Sequence, residues 1–295
     1  MKKDLSVIIV SYNTKDLTLE CVTKLKKALS CSSFLSEIII IDNNSYDGSV
    51  EQLKKLANGV DIKVFFNTEN SGFSKSNNLG LAHAEGRYVL YINSDVLVPE
   101  EPFLDALVKQ MDDNPLYGAL TVRVNLSSGA IDPASHRGFP TVWRSFCYYS
   151  GLERLTKKIP LLNRLFGGYH LTYLPLTKKH EIDTPTGAFF LAKKDILDTL
   201  RGFDEDFFMY GEDIDLSFRI KRLGYMIIYD PFYTVLHLKN QSGIKRKNNA
   251  IVQKKTRNYF YESMAIFYKK HYEKNYPKWI STLVNVVINR KKTIL

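Results

Sequence analysis

Residues 5–13 read LSVIIVSYN, and residues 37–45 read EIIIIDNNS. Each stretch is a run of aliphatic, largely β-branched residues that ends in hydroxyl, amide or carboxylate side chains. Runs that are apolar at nearly every position are typical of parallel strands covered on both faces of a sheet. The two stretches therefore predict buried strands of a parallel sheet, with polar groups at their carboxyl ends.

Strand and helix patterns alternate along the first third of the chain. Two further strands are predicted at residues 62–66 and 88–92, and apolar residues at helical spacing predict helices at residues 14–29, 49–57 and 74–84. This alternation predicts an α/β fold with a mostly parallel central sheet, helices on both faces and right-handed crossovers.

The pattern is less regular in the second half. Residues 126–182 combine Gly, Pro, aromatic and basic residues, which predicts loops with one short amphipathic helix at 152–166. Regular patterns return after this segment. They predict, in chain order, a strand, two helices, two strands and a final helix at residues 187–192, 193–200, 213–223, 225–229, 233–237 and 250–272.

The positive charge of the chain is concentrated near its C-terminus. The 295 residues carry 41 Lys and Arg against 31 Asp and Glu, and residues 239–295 hold 14 of the basic and 2 of the acidic ones. A basic segment rich in Tyr and Trp suits an anionic membrane surface or a nucleic acid. A contact between copies of the chain and a solvated helical face are the alternatives.

The sequence also indicates the cellular compartment of the protein. No stretch approaches the roughly 18 apolar residues that span a bilayer, and the N-terminal apolar run is too short for a signal peptide. Three cysteines, Cys21, Cys31 and Cys147, fit neither a disulfide framework nor a metal-ligand spacing. We therefore expect a cytoplasmic protein that is soluble or peripheral at the inner face of the plasma membrane.

Polar side chains follow each of the first four predicted strands. They are SYN after the first, DNNS after the second, N followed by NSG after the third, and NSD after the fourth. Ligands of open parallel sheets bind at this edge, although the same residues are also ordinary turn formers. No glycine-rich phosphate loop is present, so a bound diphosphate would need another neutralising group, such as a metal on Asp95.

A second polar cluster reads FDEDFFMYGEDIDL at residues 203–216. The helix dipole favours acidic residues in a first turn, but neighbouring aromatic residues can also desolvate a carboxylate and make it a general base. Asp213 and Asp215 diverge around a helix, so that one can face a cleft while the other caps the helix or pairs with Arg219. His237 ends the last predicted strand, where it suits either a structural hydrogen bond or a metal or phosphate.

Six ordered blocks of the sequence resemble the family 2 glycosyltransferases, and most closely their bacterial rhamnosyltransferase-like branch. The blocks are VIIVSYN (7–13), IIIIDNNSYDGS (38–49), NSGFSKSNNLGL (70–81), YINSD (91–95), TGAFFLAKKD (186–195) and FDEDFFMYGEDIDLSFR (203–219). The resemblance covers roughly residues 5–240. It implies a GT-A fold over residues 1–240, with a nucleotide-sugar-binding half (1–125) and an acceptor and catalytic half (126–240), followed by a basic, aromatic helical extension (241–295).

The resemblance also implies a role for each matching residue. Asp213 matches the catalytic base, with Glu212 beside it, and Asp95 matches the metal-binding Asp of a DxD-type motif for Mn²⁺ or Mg²⁺. His237 matches a further ligand to the metal or diphosphate. Asn93 stands at the first acidic position of that motif, which removes one negative charge. The residues that match nucleotide-sugar-binding positions are Ser11, Asn13, Asp42, Asn70, Gly72, Asn77, Asn93, Ser94, Gly187 and Ala188.

The implied reaction is an inverting transfer from a nucleotide-diphosphate sugar, of dTDP-rhamnose or UDP-hexose type. The implied acceptor is a glycan or lipid-linked glycan in bacterial surface polysaccharide assembly. Partners suggested by the basic tail are an anionic membrane surface and a second copy of the chain. The alternatives are a catalytically inactive nucleotide-sugar-binding scaffold and a sugar-phosphate nucleotidyltransferase, which would need a basic glycine-rich loop after the first strand. A basic nucleic-acid-binding protein is disfavoured, because the carboxylates would repel phosphate.

Overall fold

The computed structural model describes residues 3–57, 61–239 and 250–293. The strands are β1 (Leu5–Ser11), β2 (Ser36–Asp42), β3 (Ile62–Phe66), β4 (Tyr88–Asn93), β5 (Val96–Leu97), β6 (Tyr117–Leu126), β7 (His180–Ile182), β8 (Phe189–Lys193) and β9 (Met226–His237). The helices are α1 (Lys15–Ser30), α2 (Ser49–Leu56), α3 (Phe73–Ala82), α4 (Phe103–Asp113), α5 (Val142–Tyr149), α6 (Leu152–Thr156), α7 (Pro160–Phe166), α8 (Lys194–Leu200), α9 (Glu212–Arg222), α10 (Ala250–His271) and α11 (Lys278–Thr293).

The strands form one sheet, in the order β3-β2-β1-β4-β8-β6-β9-β5, with β7 paired to β9. The first four strands are parallel, as the alternating pattern predicts. β8 then lies antiparallel between β4 and β6, whereas β6 and β9 are parallel to each other. The predicted α/β class is confirmed, and the second half of the sheet is mixed.

Helices cover both faces of the sheet. On one face, Val7 of β1 belongs to the same buried cluster as Leu25 of α1 and Leu107 of α4. On the other face, Ile8 belongs to a cluster with Leu81 of α3 and Leu216 of α9. Successive residues of β1 thus enter opposite cores, which explains why its sequence is apolar at consecutive positions.

The C-terminal helices pack onto the domain. Phe267 of α10 and Tyr272 just after it form a buried cluster with Phe207, and the His271 ring nitrogen Nε2 lies 2.6 Å from the Asp215 carboxylate of α9. The predicted helical extension is therefore confirmed. The predicted boundary at residues 240–241 lies outside the described residues. Within the described ranges, no helix has the length and apolarity that a membrane crossing requires.

Three details of the predicted secondary structure are wrong. The helix predicted at 152–166 is two helices, because Pro160 starts α7 and cannot continue α6. The two strands predicted at 225–229 and 233–237 are one strand, β9, whose register with β6 jumps from Val122↔Asp230 to Arg123↔Thr234 across a bulge. Helix α4 and strand β6 were not predicted.

Strand β2 carries a buried, ionised side chain. Glu37 of β2 is fully buried, and its carboxylate accepts hydrogen bonds from Lys3, Ser6 and the Glu85 N–H, with Lys63 Nζ at 2.9 Å. Burial alone would raise the pKa of Glu37. The hydrogen bonds from Lys63, Ser6, Glu85 and Lys3 outweigh it and lower the pKa to about 2.

We expect Glu37→Gln to lower the free energy of unfolding at neutral pH by about 1–3 kcal/mol, because the variant loses the ionised partner of two lysines. The pKa of Glu37 falls from 4.5 to about 2 on folding, so this stabilisation is present above pH 4.5 and is lost as the pH falls toward 2. Urea denaturation over a pH series measures the difference. Glu51→Gln, at an exposed position of α2, is the control. A difference in the free energy of unfolding between Glu37→Gln and wild type that does not shrink in acid would contradict the assignment.

Candidate active site

The carboxyl ends of the parallel strands bring the first predicted site residues together. Ser11 at the end of β1 is in register with Asp42 of β2, and Val10 is in register with Asn93 of β4. A hydroxyl network then joins these ends: Ser11 Oγ lies 2.9 Å from Thr18 Oγ1, and Thr14 Oγ1 lies 3.0 Å from both Thr18 Oγ1 and Ser94 Oγ. Ser11 and Ser94 therefore hold the edge of the sheet in shape.

Several buried polar atoms at this edge have no partner. In the described part of the chain, eight buried side-chain nitrogen or oxygen atoms lack a hydrogen bond, and five of them belong to Asn13, Asp42, Asn93, Arg137 and Glu212. Buried polar atoms in native proteins are nearly always paired, so each exception needs an explanation. A polar ligand that binds along this edge would supply the missing partners.

The Asn-Ser-Gly block lies between the strand ends and the carboxylate segment. The Asn43 amide donates to Asn70 Oδ1 at 2.8 Å, and Gly72 has a φ of +87°. A Cβ on Gly72 would lie 2.6 Å from the Phe208 carbonyl oxygen, which accepts the Phe73 N–H at 2.7 Å. The close approach that only glycine permits thus joins α3 to residues 203–211.

Asn77, a predicted site residue, forms its side-chain hydrogen bond within its own helix. Its side-chain amide is buried and donates to the Phe73 carbonyl oxygen one turn earlier in α3, at 2.9 Å. The structure therefore shows Asn77 as a group that steadies the first turn of α3.

Gly187 and Ala188 connect the two polar clusters. The Asn93 N–H donates to the Ala188 carbonyl oxygen at 3.3 Å, and the Gly187 N–H donates to Asp213 Oδ2 at 3.3 Å. The strand-end residues and the Glu212–Asp213 pair, more than a hundred residues apart in sequence, thus meet through this dipeptide.

Asp213 forms a buried ion pair that the sequence did not suggest. The Arg137 guanidinium donates to Asp213 Oδ2 at 2.7 Å and also to the Pro185 carbonyl oxygen at 2.8 Å. Arg137 comes from the irregular segment 126–182, which offers no pattern that would single it out. The pair fixes the Asp213 carboxylate next to the Gly187 N–H.

Glu212 differs from its neighbour. Its Oε2 atom is one of the unpartnered buried atoms, and desolvation, assisted by the charge of Asp213, raises the pKa of Glu212 to about 8. At neutral pH Glu212 is therefore mainly a neutral acid beside the Asp213 carboxylate that pairs with Arg137. Asp215 points elsewhere and accepts the Arg219 Nε–H at 2.7 Å, which confirms the predicted Arg219 pairing.

Asp95 and His237 lie side by side, as their shared predicted role requires. His237 Nε2 is 3.2 Å from Asp95 Oδ1, and Nδ1 is 3.1 Å from the buried carboxylate of Asp132, which Lys239 also contacts. Burial would lower the pKa of His237, but hydrogen bonds to Asp132 and Asp95 outweigh it and raise the pKa to about 9. Asp132, like Arg137, was not predicted.

This pair fits a divalent cation only in part. Two ligand atoms at ~2.1 Å from one ion and at right angles lie ~3 Å apart, close to the observed spacing of Asp95 and His237. The described residues contain no group of three or more His, Cys, Asp or Glu that could hold a metal alone. Diphosphate oxygens would therefore have to complete the coordination, which is common for Mg²⁺.

A groove of about 600 Å³ lies outside this region. It is lined by residues 84–88 and by Lys193, Lys194, Asp195 and Asp198, at the end of β4 opposite to Asn93. It contains none of the predicted site residues.

Comparisons with known proteins agree with the geometry. The profile of Glycosyl transferase family 2 matches residues 6–200. The cholesterol galactosyltransferase of Borreliella burgdorferi is 39% identical over 106 residues, 36% of this chain and 28% of that protein. The rhamnosyltransferase WbbL of Escherichia coli is 24% identical over 238 residues, 78% of this chain and 82% of that protein.

Solved structures share the fold. A mannosyltransferase from Pyrobaculum calidifontis, in complex with GDP-Man and Mn²⁺, superposes with a TM-score of 0.58 at 18% identity. The match covers 92% of this chain and 64% of the mannosyltransferase, so the chain spans less than two thirds of that protein and of the galactosyltransferase. The fold is that of the GT-A glycosyltransferases, with C-terminal helices added.

We expect Glu212→Gln to stabilise the protein increasingly as the pH rises. The pKa of Glu212 rises from 4.5 to about 8 on folding, so its ionisation opposes folding above pH 4.5. The free energy of unfolding of the variant should exceed that of the wild type by about 2–4 kcal/mol near pH 8 and match it in acid. Chemical denaturation at several pH values tests this, with exposed Glu101→Gln as control. Equal pH profiles for Glu212→Gln and wild type would show that Glu212 ionises freely.

Proposed function

Because the chain belongs to glycosyl transferase family 2, we propose that it is an inverting, metal-dependent glycosyltransferase with a nucleotide-diphosphate sugar as donor. The observation that carries this proposal is a set of five unpartnered buried polar atoms. Three belong to residues at the strand ends, and two belong to Arg137 and Glu212, which are linked to those ends through Asp213, Gly187 and Ala188. We propose a donor of dTDP-rhamnose or UDP-hexose type; the similarity to a rhamnosyltransferase supports rhamnose as the sugar, and the similarity to a galactosyltransferase supports a hexose. The proposed acceptor is a glycan or lipid-linked glycan in bacterial surface polysaccharide assembly.

The strand ends form the proposed donor site. Asn13 Nδ2, Asp42 Oδ1 and Asn93 Oδ1 offer one donor and two acceptors of hydrogen bonds, which suits the polar edge of a base and the ribose hydroxyls. Asn70 and Gly72 would lie along the ribose and diphosphate, and Gly187 with Ala188 along the sugar. Ser11, Ser94 and Asn77 support the site through the buried contacts described above.

Asp95 and His237 are the proposed protein ligands of Mn²⁺ or Mg²⁺. An imidazole ligand favours Mn²⁺ over Mg²⁺, which prefers oxygen. Metal binding requires the neutral ring, so His237 would release its proton when the ion binds. When bound, the ion would neutralise charge on the departing diphosphate.

Asp213 is the proposed general base. It is the member of the Glu212–Asp213 pair that contacts a cation, and Arg137 and the Gly187 N–H fix its orientation. In the proposed step, Asp213 takes the proton of the acceptor hydroxyl while the acceptor oxygen bonds to the anomeric carbon. The bond from that carbon to the diphosphate breaks on the opposite face, so the configuration inverts. Glu212 stays protonated at neutral pH.

We expect Asp213→Asn to lower kcat by about 10²–10⁴-fold, because the variant has no general base, and to leave the Kd for the donor nearly unchanged. Single-turnover transfer and donor titration measure the two quantities. Exposed Asp206→Asn, in the same segment, is the matched control and should retain full turnover. Turnover that survives in Asp213→Asn but is abolished in Glu212→Gln would reverse the assignment. Donor binding without turnover in the wild type would favour the inactive scaffold.

We expect the melting temperature to rise with one class of UDP-, dTDP- or GDP-sugar, and to rise further when Mn²⁺ is added, because a ligand that binds only the folded state stabilises it. Asp95→Asn and His237→Gln should each remove the increment due to Mn²⁺ and keep the increment due to the sugar nucleotide. Exposed Asp113→Asn is the control. An unchanged Mn²⁺ increment in both site variants would disprove the proposed ligands.

A further inference from the structure

Helices α5 and α7 together present an exposed apolar face. Phe146, Leu161 and Leu165 are 54%, 80% and 56% exposed. The Trp143 ring stacks on Phe146 at 5.9 Å, and its Nε1–H donates to the Leu165 carbonyl oxygen at 3.1 Å. The two short helices therefore form one surface. Contiguous exposed apolar groups of this kind usually mark an interaction site.

Helix α11 adds a second exposed apolar face beside the first. Trp279, Leu283 and Val286 follow one another at helical spacing and are exposed, Trp279 by 68%. Lys291, near the end of α11, lies over the Tyr149 ring of α5 at 5.3 Å. The C-terminal end of α11 thus contacts α5, and we name the exposed apolar faces of α5, α7 and α11 together the interfacial surface.

The exposed charged residues of α6, α7 and α11 are mainly basic, although Glu262 of α10 pairs with Lys292 of α11. Arg154, Lys157, Lys158 and Arg164 are exposed beside the α5–α7 face, and in the described part of the chain none of them forms an ion pair. Residues 154–180 contain no Asp or Glu, and neither does α11. An anionic partner would meet basic groups at the rim and apolar groups at the centre.

Helix α10 does not share this exposure, although the sequence placed most aromatic residues of the tail there. Tyr268 and Tyr272 are buried, and the Tyr259 ring stacks on Phe208 at 4.6 Å. These rings hold α10 against the domain. Among the aromatic residues of the basic C-terminal segment, Trp279 lies on the interfacial surface.

We propose that the interfacial surface docks on an anionic lipid bilayer. Exposed Trp and Leu flanked by Lys and Arg are typical of helices that lie at the membrane interface, with the apolar groups inserted and the cations at the head groups. Aliphatic side chains such as Leu161 and Leu283 would gain little from a nucleic acid, whose surface is charged and polar. The proposal does not depend on the proposed reaction.

The interfacial surface lies near the candidate active site. Tyr148 of α5 contacts the Tyr169 ring, with the ring centroids 5.2 Å apart, and the Tyr169 carbonyl oxygen accepts the N–H of Gly138, the residue after Arg137, at 2.8 Å; Arg137 is the partner of Asp213. Docking would therefore bring the membrane close to the Asp213 side of the site.

Vesicle co-sedimentation of the full chain tests the proposal. The probes are vesicles of phosphatidylcholine alone and vesicles that also contain phosphatidylglycerol. We expect the wild type to bind the anionic vesicles at least about tenfold more tightly, with an affinity that falls at high salt. Leu161→Glu/Leu165→Glu should weaken binding about tenfold or more, because it places charge in the apolar centre. Lys157→Ser/Lys158→Ser should lower the binding to the anionic vesicles and leave the binding to the phosphatidylcholine vesicles unchanged.

Leu116→Glu, at an exposed apolar position outside the interfacial surface, is the matched control and should bind as the wild type does. Donor-induced thermal shifts of each variant verify the fold and separate this test from that of the proposed function. Equal binding by Leu161→Glu/Leu165→Glu and wild type would overturn the proposal, as would no binding of the wild type at low salt. The proposal would also fail if Leu161→Glu/Leu165→Glu converted a dimer to a monomer in light scattering while neither wild type nor variant bound the vesicles.

Discussion

The ion pair between Arg137 and Asp213 is the contact on which the arrangement of the candidate active site depends. Both side chains are nearly buried, with a nitrogen-to-oxygen distance of 2.7 Å. Removing either partner would leave an uncompensated charge in a poorly solvated place, at a cost of about 3–5 kcal/mol. The pair also joins the irregular segment 126–182 to α9 and orients the carboxylate toward the Gly187 N–H. Asp213 thus has a buried cationic partner, while the Oε2 atom of Glu212 beside it has no hydrogen-bond partner.

The unpartnered atoms have a physical meaning beyond their location. A buried donor or acceptor without a hydrogen bond costs about 1–3 kcal/mol, and five such groups gather around one edge of the sheet. Proteins tolerate this loss of stability mainly at functional sites, where the unpaired groups can bind a polar molecule. Conversely, the Ser11 and Ser94 hydroxyls are hydrogen-bonded to Thr18 and Thr14. The residues that make the site rigid are therefore different from those that leave polar atoms open to a ligand.

The sequence was most informative where short-range pattern and topology agree. The apolar runs of β1 and β2 predicted a parallel sheet, and parallel strands necessarily place Asn13, Asp42 and Asn93 at one edge. Arg137 and Asp132 escaped prediction because their roles come from contacts across 76 and 105 residues with Asp213 and His237. The antiparallel direction of β8 also escaped, because the irregular segment before it interrupts the strand–helix alternation from which parallel strands were predicted. The sequence around the bulge in β9 predicts a break between two strands.

The packing of α10 makes the order of synthesis significant. The Ser263 hydroxyl donates to the Met209 carbonyl oxygen at 3.0 Å, and His271 reaches Asp215, so the segment before and inside α9 is braced by residues about fifty positions later. While the chain is being translated, the sheet can form as soon as β9 has left the ribosome. The segment around Glu212 and Asp213 then has to await α10 before its last contacts exist, so a ribosome-bound nascent chain would acquire the sheet before the braced carboxylates.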